Sequence, residues 1–334
     1  MNSQPTASSR RVLISGASGF VGRTLLATAA PLLATAAPLQ LRPAVRSRLV
    51  PELGADQVIV GDIDGRTDWS HALAGIDCVV HLAARVHVMK PSASDRIEYE
   101  RTNVLGTERL ARAAAAAGVK RFVYLSSIKV NGESTGHHAF RADDVPQPQD
   151  DYARSKLEAE RRLSAIEAAS GMSVSIVRPP LVYGPGVRAN FYRLLSLARS
   201  GLPLPLASIA NVRSMVSVWN LCDLICALLQ HERPMNGVFL VADGEDVSTA
   251  ELVRRLARLM HRPARLFSMP VGALRAFAAL TGRSAELDRL CDSLAVDMSE
   301  TRVRLGWSPP LSLDAGLERT VRWYLQELTN RTAA

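Results

Sequence analysis

Residues 12–22 read "VLISGASGFVG": four apolar or small residues, then Gly16, Gly19 and Gly22 spaced by three, then the start of an apolar-periodic stretch over 20–30. A strand that turns sharply through glycines into a helix is the opening unit of a parallel, doubly wound α/β sheet. The glycines have a physical reason. They permit the tight turn and let the backbone approach a diphosphate, whose charge then rests on the helix N-terminus. Any fold for this chain must therefore begin with a βα unit, and that unit points to a dinucleotide.

The following residues keep the pattern. Short apolar runs at 11–15, 39–45, 57–60, 78–82, 122–125 and 174–177 alternate with helical periodicity at 20–30, 68–74, 93–117 and 151–170. Beyond Pro179 the pattern gives way to Gly/Pro-rich loops and separate helices at 191–200, 219–231, 249–260, 271–281 and 312–327. The expected fold is a Rossmann-type parallel sheet with a smaller, mostly helical substrate-binding cap. The sheet domain would span 10–178, with returns near 214–241 at Met215–Val218 and Val238–Val241. The cap would take 179–213 and 242–330. Residues 25–31, "LLATAAP", recur letter for letter at 32–38. Seven residues make ~1.9 helical turns, which keeps the apolar face, but Pro31 should kink or stop the helix between the copies.

Composition excludes several classes. The chain is 47% hydrophobic with no apolar run near the ~18 residues of a membrane span, so no membrane insertion is expected. The four cysteines, Cys78, Cys222, Cys226 and Cys291, lack metal-ligand spacing and read as plain thiols in a reducing cytoplasm, with no metal. The net charge of +8 comes without a basic block or an aromatic-interleaved basic stripe, which argues against nucleic acid and fits an anionic small substrate.

Two further positions bear on the nucleotide. Asp62 in "GDI", after the third strand, could accept from the adenine amino group. The end of strand two reads "AVRSR", with Arg46 and Arg48 and no acid before Glu52. An acid there holds the ribose hydroxyls of NAD, whereas an arginine suits a 2′-phosphate, so NADP(H) is expected, with NAD(H) possible.

The strand at 122–125 runs into Ser126-Ser127, and "YARSK" at 152–156 is the chain's Tyr-x-x-x-Lys. Lysine is scarce: of 40 Lys plus Arg, only Lys90, Lys120, Lys129 and Lys156 are lysines. Tyr152 and Lys156 are i,i+4 and share a helical face. A free phenol with a pKa near ~10 is a poor acid–base group at neutral pH, and a nearby ammonium moves it toward the working range.

These features together resemble the extended short-chain dehydrogenase/reductases that act on nucleotide sugars, the NAD-dependent epimerase/dehydratase family. The resemblance rests on "GASGFVG" (16–22), "GDI" (61–63), "HLAA" (81–84), "NVLGT" (103–107), "LSS" (125–127), "YARSK" (152–156) and "RPPLVYGPG" (178–186). It implies Ser127 as the hydroxyl that polarises the substrate oxygen, Tyr152 as acid/base, Lys156 as its electrostatic partner and Asn103 as the lysine's support. It implies a cofactor set of Gly16, Ser18, Gly19, Phe20, Val21, Gly22, Arg46, Asp62, Ile63, Leu82, Ala83, Ala84 and Pro179, with Tyr152 and Lys156. Substrate contacts would be Ser127, Lys129, Asn190, Arg213 and Arg289, the arginines meeting a diphosphate. Asn131 stands where the family usually has a tyrosine. Dehydratase members carry an Asp-Glu pair after the catalytic hydroxyl; Ile128 and Lys129 cannot do that paired-carboxylate chemistry.

More narrowly, "HLAARVHVM", "LSSIKVNGE" and "DGEDVSTAEL" resemble bacterial O-antigen enzymes of the UDP-glucose 4-epimerase-like type. The expected function is an NADPH-dependent 4-keto reductase of a UDP-4-keto-6-deoxy-hexosamine. The alternatives are a UDP-hexose 4-epimerase with retained NAD and, remotely, a non-catalytic dinucleotide sensor. The resemblance also suggests a homodimer through 93–117 and 151–170, whose outward faces are expected to carry alanines and leucines.

Overall fold

The computed structural model describes residues 10–32, 39–54, 56–86, 93–136, 138–282 and 284–333. Its strands and helices follow the alternation of the sequence: β1 Arg10–Ser15, α1 Phe20–Leu32, β2 Leu39–Val45, β3 Val58–Ile59, β4 Cys78–His81, α2 Ala93–Tyr99, α3 Gly106–Ala116, β5 Arg121–Leu125, α4 Asp151–Ser170 and β6 Ser173–Arg178. β7 Leu181–Tyr183, α5 Ala189–Ser200, β8 Met215–Ser217, α6 Val218–Gln230, β9 Gly237–Leu240, α7 Thr249–Leu259, α8 Val271–Leu280, α9 Ser284–Cys291, α10 Ser299–Leu305 and α11 Leu313–Ala333 complete it.

Seven strands form one sheet in the order β3-β2-β1-β4-β5-β6-β9, with every pair parallel. The order reverses between β1 and β4, and ligands of such sheets bind outside the strand carboxyl ends at that point. Both faces are covered. Val12, Ile14, Val80 and Val123 pack with Leu25 of α1 and Leu221 and Ile225 of α6. Leu13, Val79, Phe122 and Tyr124 pack with Leu110 of α3 and Leu163 of α4. A third core gathers Tyr183, Phe191, Leu195, Leu256, Leu317 and Tyr324 into a helical lobe.

Several expectations change. Val238–Leu240 joins the sheet as anticipated, but Met215–Ser217 does not: β8 pairs in parallel with β7 in a separate two-stranded sheet. Residues 68–74 form turns rather than a helix, closed by Gly75 at φ +68°, while Trp69 and Leu73 are buried. The stretch 93–117 is α2 and α3 joined by a π-helical segment, Glu100–Leu105. α1 runs through Pro31 to Leu32, and the rest of the repeat, 33–38, lies outside the described residues, as does Lys90. The outward positions of α3 and α4 hold Arg109, Arg112, Arg154 and Arg161 besides Ala116, Ala165 and Ala168, with Glu108, Asp151 and Glu158 paired to arginines among them, so that face is charged rather than apolar. Cys78, Cys222, Cys226 and Cys291 are all free thiols. Among the described residues no helix is long and apolar enough to cross a membrane, and no His/Cys/Asp/Glu group could hold a metal ion.

Candidate active site

The glycine loop leaves β1 at Ser15 and enters α1 at Phe20. Gly16 sits at φ +72°, and a Cβ there would stand 2.6 Å from the Ala83 backbone nitrogen. At Gly22 it would stand 2.4 Å from the Gly16 oxygen, so that glycine exists for close packing of helix on turn. At Gly19 it would meet only the Gly16 oxygen, at 3.1 Å; Ser18 and Gly19 are exposed, and this is the open side of the loop. An open backbone cradle at a helix N-terminus fits a dinucleotide diphosphate. Arg23, which sequence reasoning passed over, stiffens it by donating to the Ser18 carbonyl at 2.9 Å.

Leu82, Ala83 and Ala84 follow β4 beside this loop, with Leu82 N donating to the Ser15 carbonyl at 3.1 Å. Arg46 and Asp62, expected at the adenosine end, form an exposed ion pair with each other, and Gly61 N donates to the Arg46 carbonyl at 3.0 Å. Ile63 packs against Gly106, where a Cβ would come within 2.7 Å of it. The Pro179 carbonyl accepts from Ile128 N at 3.0 Å.

Ser127 lies two residues beyond β5 and caps a short 3-10 turn, Ile128–Val130, by accepting from Lys129 N at 3.3 Å. Its hydroxyl is hydrogen-bonded to Tyr152. The neighbouring Ser126 turns the other way and donates to buried Glu160. The geometry thus separates the two serines, with Ser127, the one implied by the family resemblance, against Tyr152. Tyr152 and Lys156 lie in the first half of α4, whose N-terminus is capped by Asp150 accepting from Ala153 N at 2.7 Å.

Electrostatics depart from the simple expectation. Desolvation pushes the Tyr152 phenol well up, Asp150 and Tyr99 add to this, and the Ser127 hydrogen bond pulls it down. Burial also lowers Lys156 from 10.5 to about 7, with Glu160 opposing. The Lys156 amine donates to the Leu125 carbonyl at 2.8 Å and lies 4.7 Å from the Tyr124 ring centre, against 6.0 Å for Tyr152.

Asn103 sits in the π-helical segment, buried, and does not reach Lys156. It accepts from Arg85 N at 2.8 Å and donates to the Arg85 carbonyl at 3.1 Å and to Ser155 at 3.0 Å. It therefore holds the residue next to the lysine and the loop after β4. His81 is fully buried between Ser15 (2.5 Å) and Thr107 (2.9 Å), and desolvation with the nearby Lys156 lowers it to about 3, so it stays neutral. Lys129, expected at the substrate, pairs with Glu133 and Asp150, each at 2.7 Å, and so ties the Ser127 turn to the cap of α4.

In the lobe, Asn190 is exposed in the first turn of α5, directly after Ala189 at φ +51°. Arg213 Nη1 donates to the Arg289 carbonyl at 2.9 Å and to the Asp292 carbonyl at 3.1 Å. The two arginines expected at a diphosphate are thus brought to one place, but the guanidinium of Arg213 spends one nitrogen on the end of α9.

A doubly wound sheet with a glycine cradle at its switch point and a Ser–Tyr–Lys group beside it defines the nucleotide-dependent dehydrogenase/reductase class of folds. The chain belongs to the NAD dependent epimerase/dehydratase family, whose model it matches over residues 12–242. It is 43% identical over 323 residues to UDP-glucose 4-epimerase of Vibrio cholerae, covering 95% of this chain and 96% of that protein. It is similar to MoeE5 in complex with UDP-glucose and NAD, with a TM-score of 0.74 and 28% identity over 95% of this chain and 99% of that one. The fold is also that of UDP-glucuronic acid 4-epimerase from Bacillus cereus, with a TM-score of 0.76 at 22% identity over 95% and 99% of the two chains.

Proposed function

We propose that this chain is a UDP-hexose 4-epimerase that retains NAD through its cycle. The observation that carries the reading is the Ser127–Tyr152–Lys156 group at the carboxyl end of β5, next to the glycine cradle. The support for epimerisation over the reductase expected from the sequence is the 43% identity to a UDP-glucose 4-epimerase across nearly the full length of both proteins.

Tyr152 removes the proton from the sugar 4-hydroxyl and later returns one to the 4-keto oxygen. Ser127, hydrogen-bonded to Tyr152, donates to the same oxygen where charge develops. A protonated Lys156, 6.0 Å from the Tyr152 ring, favours the phenolate by about 3 kcal/mol at an effective dielectric constant of about 20. Gly16, Gly19 and the start of α1 hold the diphosphate of the dinucleotide, and Arg213 and Arg289 face that of the sugar nucleotide. The bound dinucleotide supplies the acceptor and donor of hydride at C4. Lys129, paired with Glu133 and Asp150, holds the Ser127 turn against the cap of α4. The reading includes a homodimer through the arginine-rich face of α3 and α4, for which the test is a dimer mass in solution.

A second reading is favoured by one observation. The end of β2 carries Arg46, Ser47 and Arg48 and no carboxylate, which suits NADP and hence a reductase that exchanges its cofactor each turnover. The experiment is to identify the dinucleotide released on denaturation and to follow two reactions. Interconversion of UDP-glucose and UDP-galactose without added cofactor supports the epimerase. NADPH consumption on a 4-keto-6-deoxy UDP-sugar supports the reductase, and no turnover in either assay sinks both.

A further inference from the structure

One buried charged group lies directly beneath the reacting residues and is not used by that chemistry. Glu160 is one helical turn beyond Lys156 on the buried side of α4, and its side chain is 4% exposed. Its carboxylate accepts from Ser126 of the β5 end and from Arg178 of β6, through Nε at 3.0 Å and Nη2 at 2.5 Å. The remaining guanidinium nitrogen, Nη1, donates to Asn131 Oδ1 at 3.0 Å, and Asn131 Nδ2 donates to the Arg141 carbonyl at 2.8 Å. Five segments meet in this network: the end of β5, the 3-10 turn that Asn131 ends, the loop at 141, α4 and the end of β6. Between them they carry Ser127, Tyr152, Lys156 and Pro179. The position where the family pattern expects a tyrosine thus has another task here: Asn131 receives Arg178 and anchors the loop.

We propose that Glu160 is a positioning residue for the reaction: with Arg178 and Asn131 it clamps the segments that carry Ser127, Tyr152 and Lys156, and it places a negative charge under the lysine. This rests on the reading of Ser127, Tyr152 and Lys156 given above. The geometry favours it over a purely structural ion pair for two reasons. A buried pair gains little net stability over well-packed apolar residues, so it is poor value as a staple. Its carboxylate also touches Ser126, the residue adjoining the catalytic hydroxyl, which a staple between α4 and β6 would not need. The charged or titratable groups that face the Lys156 amine are Tyr152 and Glu160 on α4, Tyr124 on β5 and His81 on β4, with Arg178 behind Glu160. Of these only Glu160 is a carboxylate, so its charge opposes the desolvation that drives Lys156 toward the neutral amine.

The test is Glu160→Gln, which keeps shape and removes charge. Lys156 is one of four lysines, so carbon-13 labelled lysine gives a simple spectrum in which it can be titrated without substrate. The expected result is a fall in kcat of about tenfold or more, with UDP and NAD affinities within about threefold of wild type. The Lys156 midpoint should move at least about half a pH unit lower, and the alkaline loss of kcat should move with it. An unchanged kcat, or an unchanged Lys156 midpoint, overturns the proposal. Should Glu160→Gln not fold, Arg178→Lys keeps the charge and loses the fork; kcat should then fall while the midpoint stays, and normal kcat overturns the proposal. Failure of the wild type to turn over any UDP-hexose sinks the functional reading instead, and the lysine titration still decides whether Glu160 sets the charge beneath it.

Discussion

Replacing Lys156 with methionine should make the protein more stable at pH 6 while abolishing turnover. Lys156 is 2% exposed and is lowered by burial from 10.5 to about 7. Between these values the unfolded chain binds a proton that the folded one does not, so wild-type stability rises with pH across about 7 to 10.5. Below pH 7 the full cost of charging a buried amine is present. At about 1.4 kcal/mol per pH unit it comes to about 5 kcal/mol. Methionine fills similar space without charge, but it leaves the Leu125 carbonyl without the lysine's hydrogen bond, which costs ~1–2 kcal/mol. The net gain at pH 6 is then about 3 kcal/mol, or a rise in Tm of roughly 5 °C for a chain of this size. The assay is thermal unfolding of both proteins from pH 6 to pH 10.5. The gap should be widest at pH 6 and close toward the alkaline end. A variant less stable than wild type at pH 6, or a gap that does not change with pH, would refute the reasoning.

Tyr152→Phe should bind dinucleotide normally and lose at least ~100-fold in kcat, because the proton carrier is removed while the ring still packs against Tyr99. Arg213→Ala should weaken UDP binding by roughly 2–4 kcal/mol and leave NAD affinity unchanged, as measured by separate calorimetric titrations. Because it also removes two hydrogen bonds to the end of α9, Arg213→Lys serves as the control; equal UDP affinity in all three proteins would remove Arg213 from the site. Arg46→Asp should shift cofactor preference toward the non-phosphorylated dinucleotide, and an unchanged NADP-to-NAD affinity ratio would mean that Arg46 stays with Asp62 when cofactor binds.

Much of the molecule was legible because its signals are local. β1, β2 and β4–β6 are apolar runs between turn residues, and a glycine spacing reports a turn that lies within the same seven residues. The shared face of Tyr152 and Lys156 was legible from their i,i+4 spacing, whereas Ser127 came from the family resemblance. What was missed depends on partners distant in the chain. Met215–Ser217 is apolar enough for any strand, but periodicity records burial and not which strand is the neighbour. The π-helical segment is invisible to a pattern search tuned to 3.6 residues per turn, although it is what turns Asn103 inward. Lys129 was read as a substrate contact, and its ion pair with Asp150 was not foreseen, because nothing in its neighbourhood reveals a partner 21 residues on. Glu160 could have been found: it repeats the Tyr152–Lys156 step once more on the same face of α4.

The small β7–β8 pair has a consequence for how such a chain can be cut and recombined. Tyr183 of β7 donates to Asp243, just beyond β9, at 2.6 Å, and Asp243 in turn accepts from Ser217 and Asn220 at the start of α6. Asn220 also binds the backbone at Leu311, ahead of α11. The polypeptide is therefore woven: it leaves the large sheet after β6, comes back for α6 and β9, and leaves again for α7. No single breakpoint separates the sheet from the lobe. A chimaera that swaps everything after Arg178 exchanges β9 and α6 as well, taking away one edge of the sheet and a wall of its core. If the lobe holds the sugar nucleotide as proposed, substrate range in a chain laced this way is best changed by point replacements along 188–213 and 284–292, away from the lacing.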